Sequence, residues 1–181
     1  MDKITYPDRY LISIEDIPEE GLCVHCDNVS NILSDQDDPA LAGPVGADVC
    51  LNRVDGLIYL QGSVKAAVNL VCDRCLNPYQ LDIDAAFSYL LIPQSLEKEG
   101  FDAAAKGKDA EILTYNGKDV PFGEILREQI LLQIPFRRLC NDGCKGICPS
   151  CGADLNKEAC HCEKDIKQGP FTVLKGLKMR P

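Results

Sequence analysis

Two periods organise the apolar positions: strict alternation, which marks half-buried strands, and one helical repeat. Val64, Ala66, Val68, Leu70 and Cys72 share one face by alternation and predict a long strand over Leu57–Cys72. Ala47–Arg53 predicts the strand before it, Asp55-Gly56 the hairpin turn between the two, and Tyr79–Ile92 the strand after it. Tyr10–Ile14 predicts a short first strand, ended by the acidic turn at 15–21. Residues 23–46 predict no clear element: they hold Cys23-Val24-His25-Cys26, the acids Asp35, Asp37 and Asp38, and the breakers Pro39, Gly43, Pro44 and Gly46. Residues 93–118 carry no period and read as a loop, mobile over 95–108. Phe122, Ile125, Leu126, Gln129, Ile130 and Gln133 then recur at helical spacing, with Leu131, Leu132 and Ile134 widening the apolar face. They predict a helix over about 121–133, with Pro121 in its first turn and Pro135 ending it, packed on the open face of the sheet. The expected fold is α+β: an antiparallel meander with one main helix (1–139), then a Cys-rich, zinc-binding extension with a basic tail (140–181).

Length and composition narrow the class. The 181 residues contain no repeat and no apolar run long enough to span a bilayer, and Met1–Tyr6 does not open an export signal. Eleven cysteines stand beside two histidines and no tryptophan. In a chain of this size without an export signal, that count points to metal in a cytoplasmic protein rather than to disulfides. Charge is uneven. Residues 1–90 carry 15 acids and 5 bases, whereas 133–181 carry nine bases and five acids. Phosphate binding is driven by Lys and Arg, so any RNA contact belongs to the C-terminal third.

Eight cysteines form four close pairs: Cys72/Cys75, Cys140/Cys144, Cys148/Cys151 and Cys160/Cys162. Two such pairs from separate turns commonly hold one tetrahedral zinc at about 2.3 Å, so four pairs suggest two ions. Cys148-Pro149-Ser150-Cys151-Gly152 has the form of a zinc knuckle, its glycine allowing amides to turn toward the sulfurs. The preferred pairing joins Cys72, Cys75, Cys140 and Cys144 in one site and Cys148, Cys151, Cys160 and Cys162 in the other. A rival joins Cys140, Cys144, Cys148 and Cys151 in a single one-ion site, and His161 is an alternative ligand to one cysteine of its pair. Cys23 and Cys26 read as incidental thiols or a weak extra site, with a CxxC redox pair the lesser alternative because a preceding Trp and a βαβ context are lacking. Cys50 reads as a small core residue. No catalytic triad, phosphate loop or paired carboxylates stand out, and closed four-thiolate zinc is structural. The expectation is a non-catalytic binding protein without a small-molecule substrate.

These residues resemble a bacterial family. A strand leading into Cys72-Asp73-Arg74-Cys75-Leu76-Asn77-Pro78-Tyr79, a helix ending Ile130–Pro135, and Cys144-Lys145-Gly146-Ile147-Cys148-Pro149-Ser150-Cys151-Gly152-Ala153-Asp154-Leu155-Asn156 look like the YceD family. The closing Phe171–Lys178 stretch is similar too, whereas Cys23, Cys26 and residues 30–45 match nothing in it. The resemblance implies a role in accumulation of large-subunit ribosomal RNA, as an assembly or processing factor, and implies no catalytic residues. Each four-thiolate zinc carries a formal charge of −2, so RNA contact would use separated bases: Arg137, Arg138, Lys164, Lys167, Lys175, Lys178 and Arg180. The expected partners are the large-subunit rRNA or its precursor, ribosomal proteins, or both, with no membrane. The alternative is an adaptor that docks a basic ribosomal protein or a processing enzyme through its acidic N-terminal half.

Overall fold

The computed structural model of the chain describes residues 11–29, 32–33, 39–54, 57–94 and 111–162. The elements are β1 (Leu11–Ser13), β2 (Leu22–Val29), β3 (Ala40–Leu41), β4 (Val45–Val54), β5 (Leu57–Val71), β6 (Pro78–Pro93), β7 (Glu111–Tyr115), β8 (Asp119–Pro121) and α1 (Phe122–Leu132). The main sheet runs β2-β4-β5-β6-β7, with β3 continuing the β4 edge of β5 at Asn69 and Val68. β1 and β8 form a separate two-stranded ribbon. This is the expected α+β architecture, a largely antiparallel sheet with one main helix.

Alternation explains the core. In β5, Val64, Ala66, Val68 and Leu70 are buried on one face, and β4 adds Val45, Ala47, Val49 and Leu51 beside them. The helix lays Phe122, Ile125, Leu126 and Ile130 against this face, so sheet and helix share one apolar core. Its buried polar residue, Gln129, donates to the Tyr89 hydroxyl at 2.5 Å. Where β5 meets the end of β6, both faces are covered: Leu57, Tyr59, Leu90 and Ile92 form a second cluster. Cross-strand crowding occurs at Gly62, where an added Cβ would lie 2.7 Å from the ring of its register partner Phe87 and 2.7 Å from the Asp48 carbonyl oxygen.

Four details depart from the expectations. Residues 111–115 form a strand rather than a loop, and β7 pairs parallel to β6 through Leu91 and Leu113. The apolar end of β6 would otherwise leave a buried row of backbone groups unpaired. Residues 22–29 form the edge strand β2, in a region that predicted no element. Pro121 ends β8 opposite Leu11, and the helix begins at Phe122. Leu132 is exposed instead of widening the helix's buried face. Tyr10, the Asp55-Gly56 turn, the acids at 35–38 and the 95–108 loop lie outside the described residues. No described helix is long and apolar enough to cross a membrane.

Candidate metal centres

The connection between β5 and β6 is a tight turn over Cys72–Asn77. The Cys72 amide donates to Asn77 O at 3.0 Å and the Leu76 amide to Cys72 O at 2.9 Å. Leu76 adopts a left-handed conformation (φ 57°), which lets the chain reverse within this turn. Both cysteines of the turn therefore project from the end of the sheet. The segment after α1 comes alongside: the Asp73 amide donates to Arg138 O and the Arg138 amide to an Asp73 carboxylate oxygen, both at 2.8 Å. That pairing carries Cys140 and Cys144 to the same place.

Two groups of sulfurs result: Cys72, Cys75, Cys140 and Cys144, and Cys148, Cys151, Cys160 and Cys162, with all sulfurs of a group within 4.8 Å of one another. A tetrahedron with metal–sulfur bonds of about 2.3 Å has edges of about 3.8 Å. Cys72 and Cys144 sulfurs stand 3.8 Å apart, Cys75 and Cys140 3.7 Å, Cys151 and Cys160 3.6 Å, and Cys148 and Cys160 3.3 Å. The donor sets thus fit a four-coordinate, thiophilic ion, and either group could hold one. The first group is nearly sealed, with Cys72, Cys75 and Cys144 buried. In the second only Cys148 is buried, and Cys151 and Cys162 are exposed. Cys140 and Cys144 sit with the hairpin cysteines rather than with Cys148 and Cys151. The second group draws on cysteines alone, with His161 outside it.

Backbone amides prepare these sulfurs. Burial raises the Cys72 thiol, but the amides of Cys75, Cys140 and Arg74 outweigh it and hold Cys72 at about 6. The amides of Cys151 and Ser150 likewise hold Cys148 at about 6. Burial and the surrounding sulfurs push Cys140 up to about 12, and the Cys160 and Cys151 sulfurs do the same to Cys162. Each group therefore pairs a ready thiolate with a thiol that resists ionising beside it. A dication held at the centre would relieve that repulsion and displace the remaining protons.

A layer of polar residues holds the sulfurs, and single-residue reading of the sequence missed it. Arg74 donates from Nη1 to Cys144 O at 2.7 Å, and its own carbonyl accepts from the Ile147 amide at 3.1 Å. Gly146 (φ +77°) passes so close that a Cβ would lie 3.0 Å from that carbonyl. Asn156 donates to Cys144 Sγ at 3.5 Å and accepts from the Lys145 amide at 2.8 Å. Asp154 accepts from Asn77 Nδ2 at 2.7 Å, tying the hairpin turn to the second loop. The amide of Asn156 and the Asn77 side chain hold the Asp154 carboxyl at about 2. In the knuckle, Gly152 has φ +77° and its amide bonds Cys148 O at 2.9 Å, while the Ser150 amide reaches Cys148 Sγ at 3.4 Å.

Residues 60–178 match the family described as "Large ribosomal RNA subunit accumulation protein YceD". The chain belongs to the YceD family. It is 31% identical over 157 residues to a Zea mays protein described as "Large ribosomal RNA subunit accumulation protein YCED homolog 1, chloroplastic", covering 74% of this chain and 53% of that one. The Arabidopsis thaliana protein of the same description is 28% identical over 156 residues, covering 73% and 49%. An uncharacterized Mycobacterium tuberculosis protein is 25% identical over 120 residues, covering 66% and 55%. The chain spans about half the length of these relatives. No solved structure matches it. The YceD match begins within β5 and takes in all eight clustered cysteines, so β1 to β4 precede it.

The remaining cysteines differ from their sequence reading. Cys23 is bonded to Cys50 as a disulfide, its register partner across β2 and β4. Cys50 is therefore a half-buried bridging residue, not a core thiol. Residues three apart in a strand face opposite sides, so Cys23 points outward while Cys26 packs on the core, and the two do not form one site. Beside the disulfide, His25 bonds Asp48 at 2.5 Å and Asp27 at 2.7 Å. Among the expected RNA-contact residues, Arg137 is exposed and Arg138 half-buried. Lys164, Lys167, Lys175, Lys178 and Arg180 lie outside the described residues.

Proposed function

We propose that this protein is a non-catalytic zinc-organised factor supporting accumulation of large-subunit ribosomal RNA, by contact with that RNA or its precursor during assembly or processing. The ligands are Cys72, Cys75, Cys140 and Cys144 for one zinc and Cys148, Cys151, Cys160 and Cys162 for the other. Bound zinc supplies a closed structural cross-link, fixing the segment after α1 to the β5–β6 turn. The sulfur separations near a tetrahedral edge carry the reading of the sites, and membership of the YceD family carries the rRNA role. Charge supports the location of the contact: the bases concentrate after residue 133, outside the acidic half. Arg137, Arg138, Lys164, Lys167, Lys175, Lys178 and Arg180 are the proposed phosphate contacts.

The test is binding of the metal-loaded chain to large-subunit rRNA fragments across a salt series. Replacing Arg137, Arg138, Lys175 and Lys178 by Gln weakens binding and flattens the dependence on salt, by slightly less than one unit of slope per contact for single strands. Absence of binding at low salt, together with co-sedimentation with large-subunit precursors in lysate, would reject direct recognition. It would favour docking of the acidic half on a basic ribosomal protein, which neutralising Asp35, Asp37 and Asp38 would then abolish.

A further inference from the structure

Among the described residues, one buried side-chain polar atom stands without a hydrogen-bond partner: the hydroxyl of Tyr79. A buried hydroxyl is costly to leave unpaired, and the sheet satisfies the buried Tyr89 hydroxyl with Gln129. The Tyr79 ring has a defined place. It lies opposite Leu70 in β5 and opens the core-facing row of β6 that continues through Leu81, Ile83 and Ala85. It packs on that core and also on the first sulfur cluster, against Cys72, Cys75 and Cys144. Sheet core and metal centre thus meet at this side chain. Burial first, then the charges of Cys72 and Asp73, push its pKa above the usual tyrosine range; Cys140 adds to this and Arg138 opposes it. The hydroxyl keeps its proton and can donate it in a hydrogen bond.

The acceptors near it are sulfurs and the Asp73 carboxylate, which already takes the Arg138 amide. A metal-bound thiolate is a charged acceptor, stronger than a neutral thiol. Three of the four sulfurs draw on donors fixed by the backbone or by the polar layer. Cys72 accepts from the amides of Cys75, Cys140 and Arg74, Cys75 from the amide of Asn77, and Cys144 from Asn156 Nδ2 at 3.5 Å. Cys140 takes a donor from the exposed Asn141 side chain, at 3.4 Å. We infer that Tyr79 is a positioning residue of the first metal centre: its hydroxyl donates to the Cys140 thiolate when the four sulfurs hold an ion. This rests on the reading of Cys72, Cys75, Cys140 and Cys144 as metal ligands. The bond would take up part of the charge of the four-thiolate centre. It would also fix Cys140, a ligand brought from beyond the helix, to the first turn of β6.

The probe is NMR-active cadmium in place of zinc on the full-length chain, which gives one metal resonance per site. The expected result is two resonances, one of them correlated by scalar coupling with a slowly exchanging tyrosine hydroxyl proton. Tyr79→Phe keeps the ring and removes the donor. In it the correlation vanishes, that resonance moves and the other stays. The ion at that site is also held about tenfold more weakly against a competing chelator, at the low end of losses for a residue that supports a metal ligand. Tyr79→Leu, which removes the ring as well, loses at least as much. Unchanged resonances and unchanged competition in Tyr79→Phe overturn the role of the hydroxyl and leave the two sites standing. A loss confined to Tyr79→Leu overturns it in favour of packing by the ring alone. Wild-type protein that leaves Cys72, Cys75, Cys140 and Cys144 open to alkylation in the presence of cadmium overturns the reading of that site, and this inference with it.

Discussion

Between Val45 and Ile92 the chain buries an almost continuous set of aliphatic side chains, whereas between Leu139 and Cys162 the buried side chains among the described residues are those of Cys144 and Cys148. The first region has long hydrogen-bonded ladders, with β5 and β6 paired from Ile58↔Leu91 to Val71↔Pro78. The second has one isolated bridge, Ile147↔Asp154, and is otherwise turns held by amide–sulfur and side-chain bonds. The two regions draw their order from different sources. The sheet and α1 are self-sufficient because apolar burial scales with area. The cysteine region lacks such area, and an ion held by its sulfurs would supply order in its place. Small metal-dependent segments behave in this way: their binding free energy is their folding free energy.

Removal of bound metal should separate the two regions most strongly. Chelation is expected to abolish hydrogen-exchange protection of the Cys148, Gly152 and Leu155 amides while β4 to β6 stay protected. Cys148→Ser should lose one ion and disorder 145–162 alone, whereas Cys75→Ser should lose the other ion and loosen the turn with the Asp73–Arg138 pairing. Equal protection of both regions after chelation would show that the turns are self-sufficient. Next in size is the converse experiment on the sheet. Phe122→Ala removes a ring that is 1% exposed at the centre of the helix–sheet core, and should cost about 3–5 kcal/mol in denaturant unfolding with metal content unchanged.

A smaller effect is expected within the sheet. Gly62→Ala should cost about 1–3 kcal/mol, because the new Cβ meets both the Phe87 ring and the Asp48 carbonyl. Adding Phe87→Leu should recover only the part due to the ring. The smallest effect is at the β2 edge. Bonds to Asp48 and then Asp27 raise the His25 pKa above its ordinary value. A raised folded-state pKa stabilises fully below the unfolded value of about 6.5, and the contribution fades as pH rises through the higher folded value. His25→Gln should therefore flatten stability against pH slightly in that window and nowhere else. The group is exposed, so the change is small.

The same division governs what could be seen in the sequence. The strands β4, β5 and β6 and the helix were legible because one buried face writes a period into consecutive residues, as at Val64, Ala66, Val68 and Leu70. β2 was not, since its outward positions Cys23, His25 and Asp27 and a breaker-rich continuation obscure Val24 and Val29. β7 was hidden because five residues carry little period and its parallel pairing with β6 is set by distant chain. β1 was legible inside the short strand read over Tyr10–Ile14, whereas β8, at three residues, carries no period. The close cysteine pairs announced themselves by spacing. The residues that hold them, Arg74, Asn77, Asp154 and Asn156, did not, because each is a single polar residue whose partner lies elsewhere in the chain. The Cys23–Cys50 disulfide was missed for the same reason: it is a matter of register, and β2 had not been recognised.

The most direct test of the central claim, that two separate four-thiolate centres organise the region after α1, is native mass spectrometry with metal analysis and alkylation under native conditions. The account predicts two zinc ions per chain, with Cys72, Cys75, Cys140, Cys144, Cys148, Cys151, Cys160 and Cys162 all protected until chelator is added. A single ion, or eight freely alkylated thiols in the native protein, would contradict it.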